Sequence, residues 1–597
     1  MNDLISQYLD IWTSAIASRS TAGRGNKSPS PAGEGWGEAN PTNTRNAKYT
    51  AYGIKKLREL ILELAVRGTL VTQDPNDEPA RTLLDKIYLQ KTRLIDDGKL
   101  KPQKGFPEIS EEEISPHLPT GWELVRLGEI MNVLNGRAYK KHEMLQEGTP
   151  LLRVGNLFTS NEWYYSDLEL EPDKYIDNGD LIYAWSASFG PFIWQGGKAI
   201  YHYHIWKLDL YDPSCLDKQF LFYFFTSITE KIKASGNGIA MIHMTKERME
   251  KLILEIPPLA EQHRIVAKVD DLMALCDQLE QQQTDSLAAH QTLVQTLLDT
   301  LTQAADAAEF EQAWSRIANH FDTLLTTEHS IDQLKQTLLQ LAVMGRLVPQ
   351  DLNDEPANNL LEKIAIQKNK LFKEKKIRRL KVLDQISQID KPYILPRGWI
   401  WCRLDEFALF ENGDRSSRYP NSSDLVECGV PFFGAPDIVN GKLEFTSELR
   451  FITMEKFSQL SNGKLVDRDF IILLRGSVGK TAQFYANTNH KTGFINAQML
   501  IIRLLELDMA GYVNYFFKSD VFLTSISKSK SGAVIQQIPA SEISKLIVPL
   551  PPLAEQHRIV AKVDELMALC DALKARIAAA QTTQLQLADA IVEQAVA

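Results

Sequence analysis

No stretch of this 597-residue chain approaches the roughly 20 consecutive apolar residues that cross a bilayer. Met1 to Ser18 also lacks the basic start and apolar run of a secretory signal. Membrane insertion and secretion are therefore not expected. Cysteine is scarce: Cys215, Cys276, Cys402, Cys428 and Cys570 are scattered, with no CxxC pair and no histidine cluster at ligand spacing. A disulfide framework and a zinc site are both disfavoured, and a reducing cytoplasm fits. Excess positive charge is missing too. The net charge is -10, the wrong sign for a protein that neutralises phosphates unaided. The acidity is uneven, however: residues 131–251 hold 13 Lys/Arg and 15 Asp/Glu, and residues 408–545 hold 15 and 14, so these segments are nearly neutral. If they bind DNA, much of the neutralising charge has to come from a partner.

Catalytic signatures are absent as well. Arg475-Gly-Ser-Val-Gly-Lys-Thr481 resembles the end of a phosphate-binding loop, but Leu474 stands where the first glycine must let the backbone approach a phosphate. Ile256 and Leu550 precede the Pro-Pro pairs where an amino-methyltransferase needs a polar side chain, so those prolines read as helix starts. Pro436-Asp437 is followed by Asn440-Gly-Lys442 rather than by a second metal-binding carboxylate. Asp77-Glu-Pro-Ala and Asp354-Glu-Pro-Ala read as turn and helix-start residues. His263 and His557, in Glu-Gln-His-Arg, read as surface or partner-facing helix residues. No serine or cysteine shows a His/Asp pairing.

What is present is the chain itself, twice. Ile54 to Val71 returns 277 residues later as Ile331 to Val348, and the same offset carries Asn76-Asp-Glu-Pro-Ala80 onto Asn353 to Ala357, Leu118-Pro-Thr-Gly-Trp122 onto Leu395-Pro-Arg-Gly-Trp399, and Asn135-Gly136 onto Asn412-Gly413. Pro257 to Asp277 returns at an offset of 294 as Pro551 to Asp571 with one change, Asp271 to Glu565. A period this long marks duplication of a whole domain-plus-helix unit rather than a solenoid, whose repeats run about 20–50 residues. The offset grows only between Ile130 and Lys251, which shares almost nothing with Phe407 to Lys545 beyond a skeleton such as Asp180-Leu-Ile with Gly190 against Asp469-Phe-Ile with Gly479. A duplicated frame with unlike contents suits two different readers; drift after duplication is the plainer alternative.

Apolar positions 54, 57, 61, 64 and 331, 334, 338, 341 are spaced as one helical face, each helix ending near a glycine, Gly68 or Gly345. After the Pro-Pro pairs, Ile265, Val269, Leu272, Cys276, Leu279 and Ile559, Val563, Leu566, Cys570, Leu573, Ile577 form heptad seams. The second continues through Ala580, Gln584, Leu587 and Ile591; the first turns polar at Gln283, Ser286 and His290 before Leu293 and Leu297. The simplest packing sets these two long helices antiparallel, with an approximate two-fold relation between the halves. The intervening segments mix short β-rich runs with Gly, Asn and Pro clusters and one helix each, near 217–234 and 508–528. The expected class is α+β: two α+β domains separated by long antiparallel coiled-coil helices, pseudo-two-fold from tandem duplication. The expected divisions are a disordered N-terminal segment 1–50, richest in Ser, Pro and Gly over 19–48, then helical 51–117, a first domain 118–255, helical 256–394, a second domain 395–549 and a final helix 550–597.

The doubled Pro-Pro-Leu-Ala-Glu-Gln-His-Arg-Ile-Val-Ala-Lys-Val-Asp at 257–270 and 551–564, with the paired Leu-Pro-x-Gly-Trp segments, resembles the conserved regions of type I restriction-modification specificity subunits. The likeness runs from about residue 50 to the end; the segment 19–48 departs from it. It implies a non-catalytic subunit with two target-recognition domains, each reading one half of a split, asymmetric site in double-stranded DNA. It further implies docking of two methyltransferase subunits and of motor-nuclease subunits, which would bind the S-adenosylmethionine, ATP and magnesium; this chain would bind no cofactor or metal. The alternative is a non-DNA coiled-coil scaffold bridging two partner proteins.

Base reading needs directional donors and acceptors on loops, arginine for guanine and asparagine or glutamine for adenine. The candidates are Arg137, Lys140, Lys141, Arg153, Asn156, Ser186, Ser188, Asn237 and His243 in the first domain. In the second they are Arg415, Ser416, Arg418, Arg475, Ser477, Lys480, Asn496, Gln498, Gln536 and Gln537.

Overall fold

The computed structural model describes residues 1–18, 49–102, 105–110, 113, 118–186, 188–234, 245–305, 307–377, 385–529 and 536–596. Two compact units emerge, one of residues 1–287 and 579–597, the other of residues 288–578. Each long helix, Leu259–Gln303 and Leu553–Val596, contributes to both units.

In the first unit the amphipathic helix Tyr52–Val66 buries Ile54, Leu57 and Ile61 completely, in one core with Ile265, Val269 and Cys276 from the start of one long helix and Ala588 and Ile591 from the end of the other. In the second unit Ile331, Leu334 and Leu338 of helix Glu328–Val343 share a core with Val294, Leu298 and Leu301 from the end of the first long helix and Cys570 from the second. Start meets end in each core, the order that antiparallel helices give. The seam is not purely helix on helix: Ile559 and Val563 pack with Leu339, Ala342, Trp399 and Tyr512.

The buried stripe departs from the heptad along its length. Ile265, Val269, Leu272, Cys276 and Leu279 are buried as the heptad requires, but further on Val294, Leu298 and Leu301 are buried while Leu293 is exposed. In the second helix Ala588 is buried and Leu587 exposed. A straight α-helix drifts about 20° per heptad relative to a 3.5-residue repeat, so five heptads move the stripe by about one residue.

Each α+β domain is clasped at its root. Strand Glu123–Arg126 pairs antiparallel with Ile253–Ile256, and Ile400–Arg403 pairs with Ile547–Leu550, so the chain enters and leaves each domain side by side. Inside the first domain one sheet runs in the order Met131–Asn135, Ile205–Leu210, Leu181–Ser186, Ser188–Ile193. A second sheet sets Thr149–Leu152 parallel to Ala199–Tyr201. The second domain repeats this as Ala408–Asn412, Met499–Leu504, Phe470–Leu473, Thr481–Gln483, with Val430–Phe433 parallel to Phe494–Ile495. The domains that share almost no sequence therefore share their topology. Helix Lys218–Ala234 covers the first; the second has Ala510–Phe516 and Asp520–Ser529, interrupted at the buried Ser519.

The repeated motif explains itself in these joints. The Trp122 indole donates to Glu261 at 3.1 Å and Trp399 to Glu555 at 2.9 Å. Arg264 grips Asp77 with both terminal nitrogens, and Arg558 grips Asp354 likewise. Gln262 and Gln556 donate to the carbonyls of Pro257 and Pro551. The Tyr223 hydroxyl meets Asp270, and Tyr515 meets Asp564. Both His263 and His557 are exposed. The Asp-Glu-Pro-Ala turns thus lock each helical region onto the long helix that follows its domain.

The N-terminal segment needs one correction. Helices Asn2–Gln7 and Leu9–Ser14 precede residue 18, and Trp12 is fully buried beside Gly53. Ile5, Trp12 and Ala15 supply an apolar face that the Ser/Pro/Gly-rich composition of 19–48 obscured. Residues 19–48 themselves lie outside the described residues.

Candidate nucleic-acid interface

In each domain the end of the strand bearing Asn-Gly abuts a three-residue loop, His202-Tyr203-His204 in the first and Asn496-Ala497-Gln498 in the second, at the 294-residue offset of the frame. The same backbone hydrogen bonds hold both. Gly136 N–H donates to Ile205 O and Gly413 N–H to Met499 O; His202 N–H donates to Leu152 O at 2.9 Å and Asn496 N–H to Phe433 O at 3.1 Å. Ile205 N–H closes onto His202 O and Met499 N–H onto Asn496 O, while Trp185 N–H reaches His204 O and Leu474 N–H reaches Gln498 O. A Cβ on Gly136 would land on the carbonyl oxygens of Tyr201 and His202, and one on Gly413 on that of Asn496. Glycine is required there by close backbone approach, not by a left-handed conformation.

Around the first loop, the Trp185 indole donates to Tyr203 O, stacks on Trp206 at 5.4 Å and meets the His204 ring edge-on at 5.1 Å. Arg137 pairs with Glu143 at 2.7 Å and lies over Tyr139; its backbone exchanges hydrogen bonds with Tyr201 and Tyr203. Arg153 follows Leu152 and lies over Tyr164. Lys140 and Lys141 are exposed on the adjoining turn, and Ser186 and Ser188 flank the hairpin tip after Trp185. Asn156 is occupied: its oxygen accepts from Arg153 N–H and its amide donates to Glu162 O at 2.7 Å. Asp437 does the same capping work for Gly434 N–H in the second domain. Asn237 and His243 lie outside the described residues.

In the second domain the candidates converge more tightly. Arg415 donates twice to Ala497 O, Ser416 Oγ accepts from Arg418 N–H, and Arg418 reaches Gln459 O. The hairpin bearing Arg475, Ser477 and Lys480 is bridged to Gln536 and Gln537 through Gly476 N–H and the Arg475–Gln537 pair. Lys480 donates to Ile438 O, and Asn496 Oδ1 accepts from Gln498 N–H. Arg415, Arg475, Ser477, Gln498, Gln536 and Gln537 are all exposed. This hairpin joins two strands with no helix following, so the phosphate-loop likeness ends at the sequence. Asp180 and Asp469, the faint skeleton, cap turns and pair with Lys207 and Arg503 of the central strands.

His202, Tyr203, His204 and Trp185 were not among the sequence candidates. The signal that reveals them is the alignment of Tyr201-His-Tyr-His204 with Ile495-Asn-Ala-Gln498 when the 294-residue offset of the Pro-Pro motif is carried back into the domains. Burial, then the His204 and Arg153 charges, lower the His202 imidazole to about 4. His202 is therefore neutral at neutral pH. Because its folded value is depressed, the unfolded chain takes up the proton first, and the first domain loses stability as pH falls from about 6.5 towards 4. Selective carbon-13 labelling of histidine should show the His202 ring titrating near pH 4; titration near 6.5 would refute this environment.

Among the described residues no cluster of three or more His, Cys, Asp or Glu side chains could hold a metal ion, and no helix is long and apolar enough to cross a membrane. The profile of the type I restriction modification DNA specificity domain matches residues 119–289 and 396–580, once over each domain with its following helix. The chain belongs to the specificity subunits of type I restriction-modification systems. The EcoAI specificity subunit of Escherichia coli is 37% identical and the EcoEI specificity subunit 36%, each match covering 99% of this chain and 99% of the relative. The solved HsdS subunit from Thermoanaerobacter tengcongensis is 20% identical over 80% of this chain and 97% of its own, with a TM-score of 0.36. As a specificity subunit the chain recognises DNA within a complex with other subunits, and its role is recognition rather than catalysis.

Proposed function

We propose that this specificity subunit reads a bipartite, asymmetric DNA site, one half with domain 118–255 and the other with domain 395–549, while the helical regions hold the enzyme subunits. The observation that carries this reading is one backbone frame presenting two chemically unlike loops, His-Tyr-His and Asn-Ala-Gln. Arg137, Lys140, Lys141, Arg153, Arg415, Arg418, Arg475 and Lys480 supply phosphate contacts that position each domain; the serines, Asn496, Gln498, Gln536 and Gln537 supply directional groups for base edges. The partners are two methyltransferase subunits and motor-nuclease subunits acting in the cytoplasm, with S-adenosylmethionine, ATP and magnesium bound by them. Their cations also offset the net charge of -10.

The test is a chimera in which residues 119–255 replace 396–549, expressed with the methyltransferase in a host lacking other methylation. The joint is preserved, because Trp122 with Glu261 and Trp399 with Glu555 make the same bond. The expected methylated motif contains the first half-site twice. Retention of the original second half-site would overturn the assignment.

A further inference from the structure

We propose that the loop triplets His202-Tyr203-His204 and Asn496-Ala497-Gln498 are the principal specificity-determining elements of their domains. This deepens the proposed function and rests on it. Four observations converge. The triplets occupy the same place in a shared topology, held by four equivalent backbone hydrogen bonds, so their main chains are interchangeable while their side chains are not. Each sits against a glycine that excludes even a methyl group, which fixes the loop from behind. Each carries an outward side chain at its centre or end: Tyr203 is 39% exposed, and Gln498 is exposed. Each is rimmed by cations, Arg137 and Arg153 in one domain, Arg415 and Arg475 in the other, as phosphate contacts rim a base-reading element.

The two triplets differ in chemistry. Asn496 and Gln498 offer amides, which pair with the N6/N7 edge of adenine. The first triplet offers an aromatic face and two imidazoles, braced by Trp185 and Trp206. Tyr203 suits apolar contact with a thymine methyl, and a neutral imidazole can donate to a guanine or adenine acceptor. Exchanging the triplets should accordingly change the base pairs they face, while positions read by other loops stay the same.

The experiment exchanges the triplets in the full-length chain, co-expressed with its methyltransferase, and maps methylated motifs by sequencing. The variant His202→Asn, Tyr203→Ala, His204→Gln is expected to change one to three adjacent base pairs in one half of the motif and leave the other half intact. An unchanged motif, or changes in both halves, would overturn the proposal. Should the triple variant abolish methylation, Gln498→Glu and Tyr203→Ala decide separately, since each leaves the four backbone hydrogen bonds in place. Each should shift preference at a single half-site position by roughly five- to 150-fold. Wild-type preference in both overturns the proposal. Failure of the wild-type complex to methylate any defined sequence would instead sink the proposed function itself.

Discussion

Trp122→Ala is expected to cost the first unit about 3–5 kcal/mol, and Trp399→Ala the second unit as much. Trp122 is only 4% exposed and lies over Gly68, where φ is +69° and a Cβ would meet the indole at 2.7 Å; Trp399 covers Gly345 the same way, at 2.9 Å. The loss is more than a void. Burial raises the Glu261 carboxyl above the usual carboxylate range, with the Trp122 hydrogen bond and Arg264 opposing that rise, so removing the indole strands a buried acceptor. Trp122→Phe keeps most of the bulk and should cost less, isolating the N–H. Unfolding of two units need not be two-state, so the measurement is urea denaturation followed by hydrogen exchange in each unit separately. A Trp122→Ala protein within 1 kcal/mol of the parent would contradict the joint described.

Gly413→Ala is expected to lower target-site methylation by about 100-fold while leaving the long helices intact. The new methyl group has no room against the Asn496 carbonyl, so the Asn496–Gln498 loop must shift bodily. Losing even two base-pair contacts of about 1–3 kcal/mol each is enough for that effect. Gly105→Ala, where nothing lies within 4 Å of the added atom, is the matched control and should behave as the parent. Equal activity of the two variants would show that the loop does not govern recognition.

The frame was legible in the sequence because its devices are side chains. Asp77 with Trp122, and Glu261 with Arg264, keep their spacing in the duplicates Asp354 with Trp399 and Glu555 with Arg558, and Ile54, Leu57 and Ile61 repeat at helical intervals. The reading loops were only half legible, for a physical reason. Their positions are set by carbonyl and amide groups that every residue carries, so His202 to His204 left no trace except alignment with Asn496 to Gln498. Residue type also misleads at such sites. Asn156 has the amide that suits adenine, yet its oxygen and nitrogen are both engaged by its own turn, as Asp437 is in the other domain. The drift of the seam had a related cause: heptad counting from Ile265 leads to Leu293, where the straight helix turns Val294 inward.

That drift limits how the long helices can change length. Ile265 and Leu301, both fully buried, are separated by ten turns of about 3.6 residues, so the stripe keeps the phase of an unsupercoiled helix. Loss or gain of seven residues would rotate everything beyond it by about 20°, and two heptads by about 40°. Eleven residues miss by about 20° in the opposite sense, and only about 18, five whole turns, return the stripe to its starting face. Length changes of this helix that keep the buried stripe on one face therefore come in coarse steps of about 27 Å rather than residue by residue.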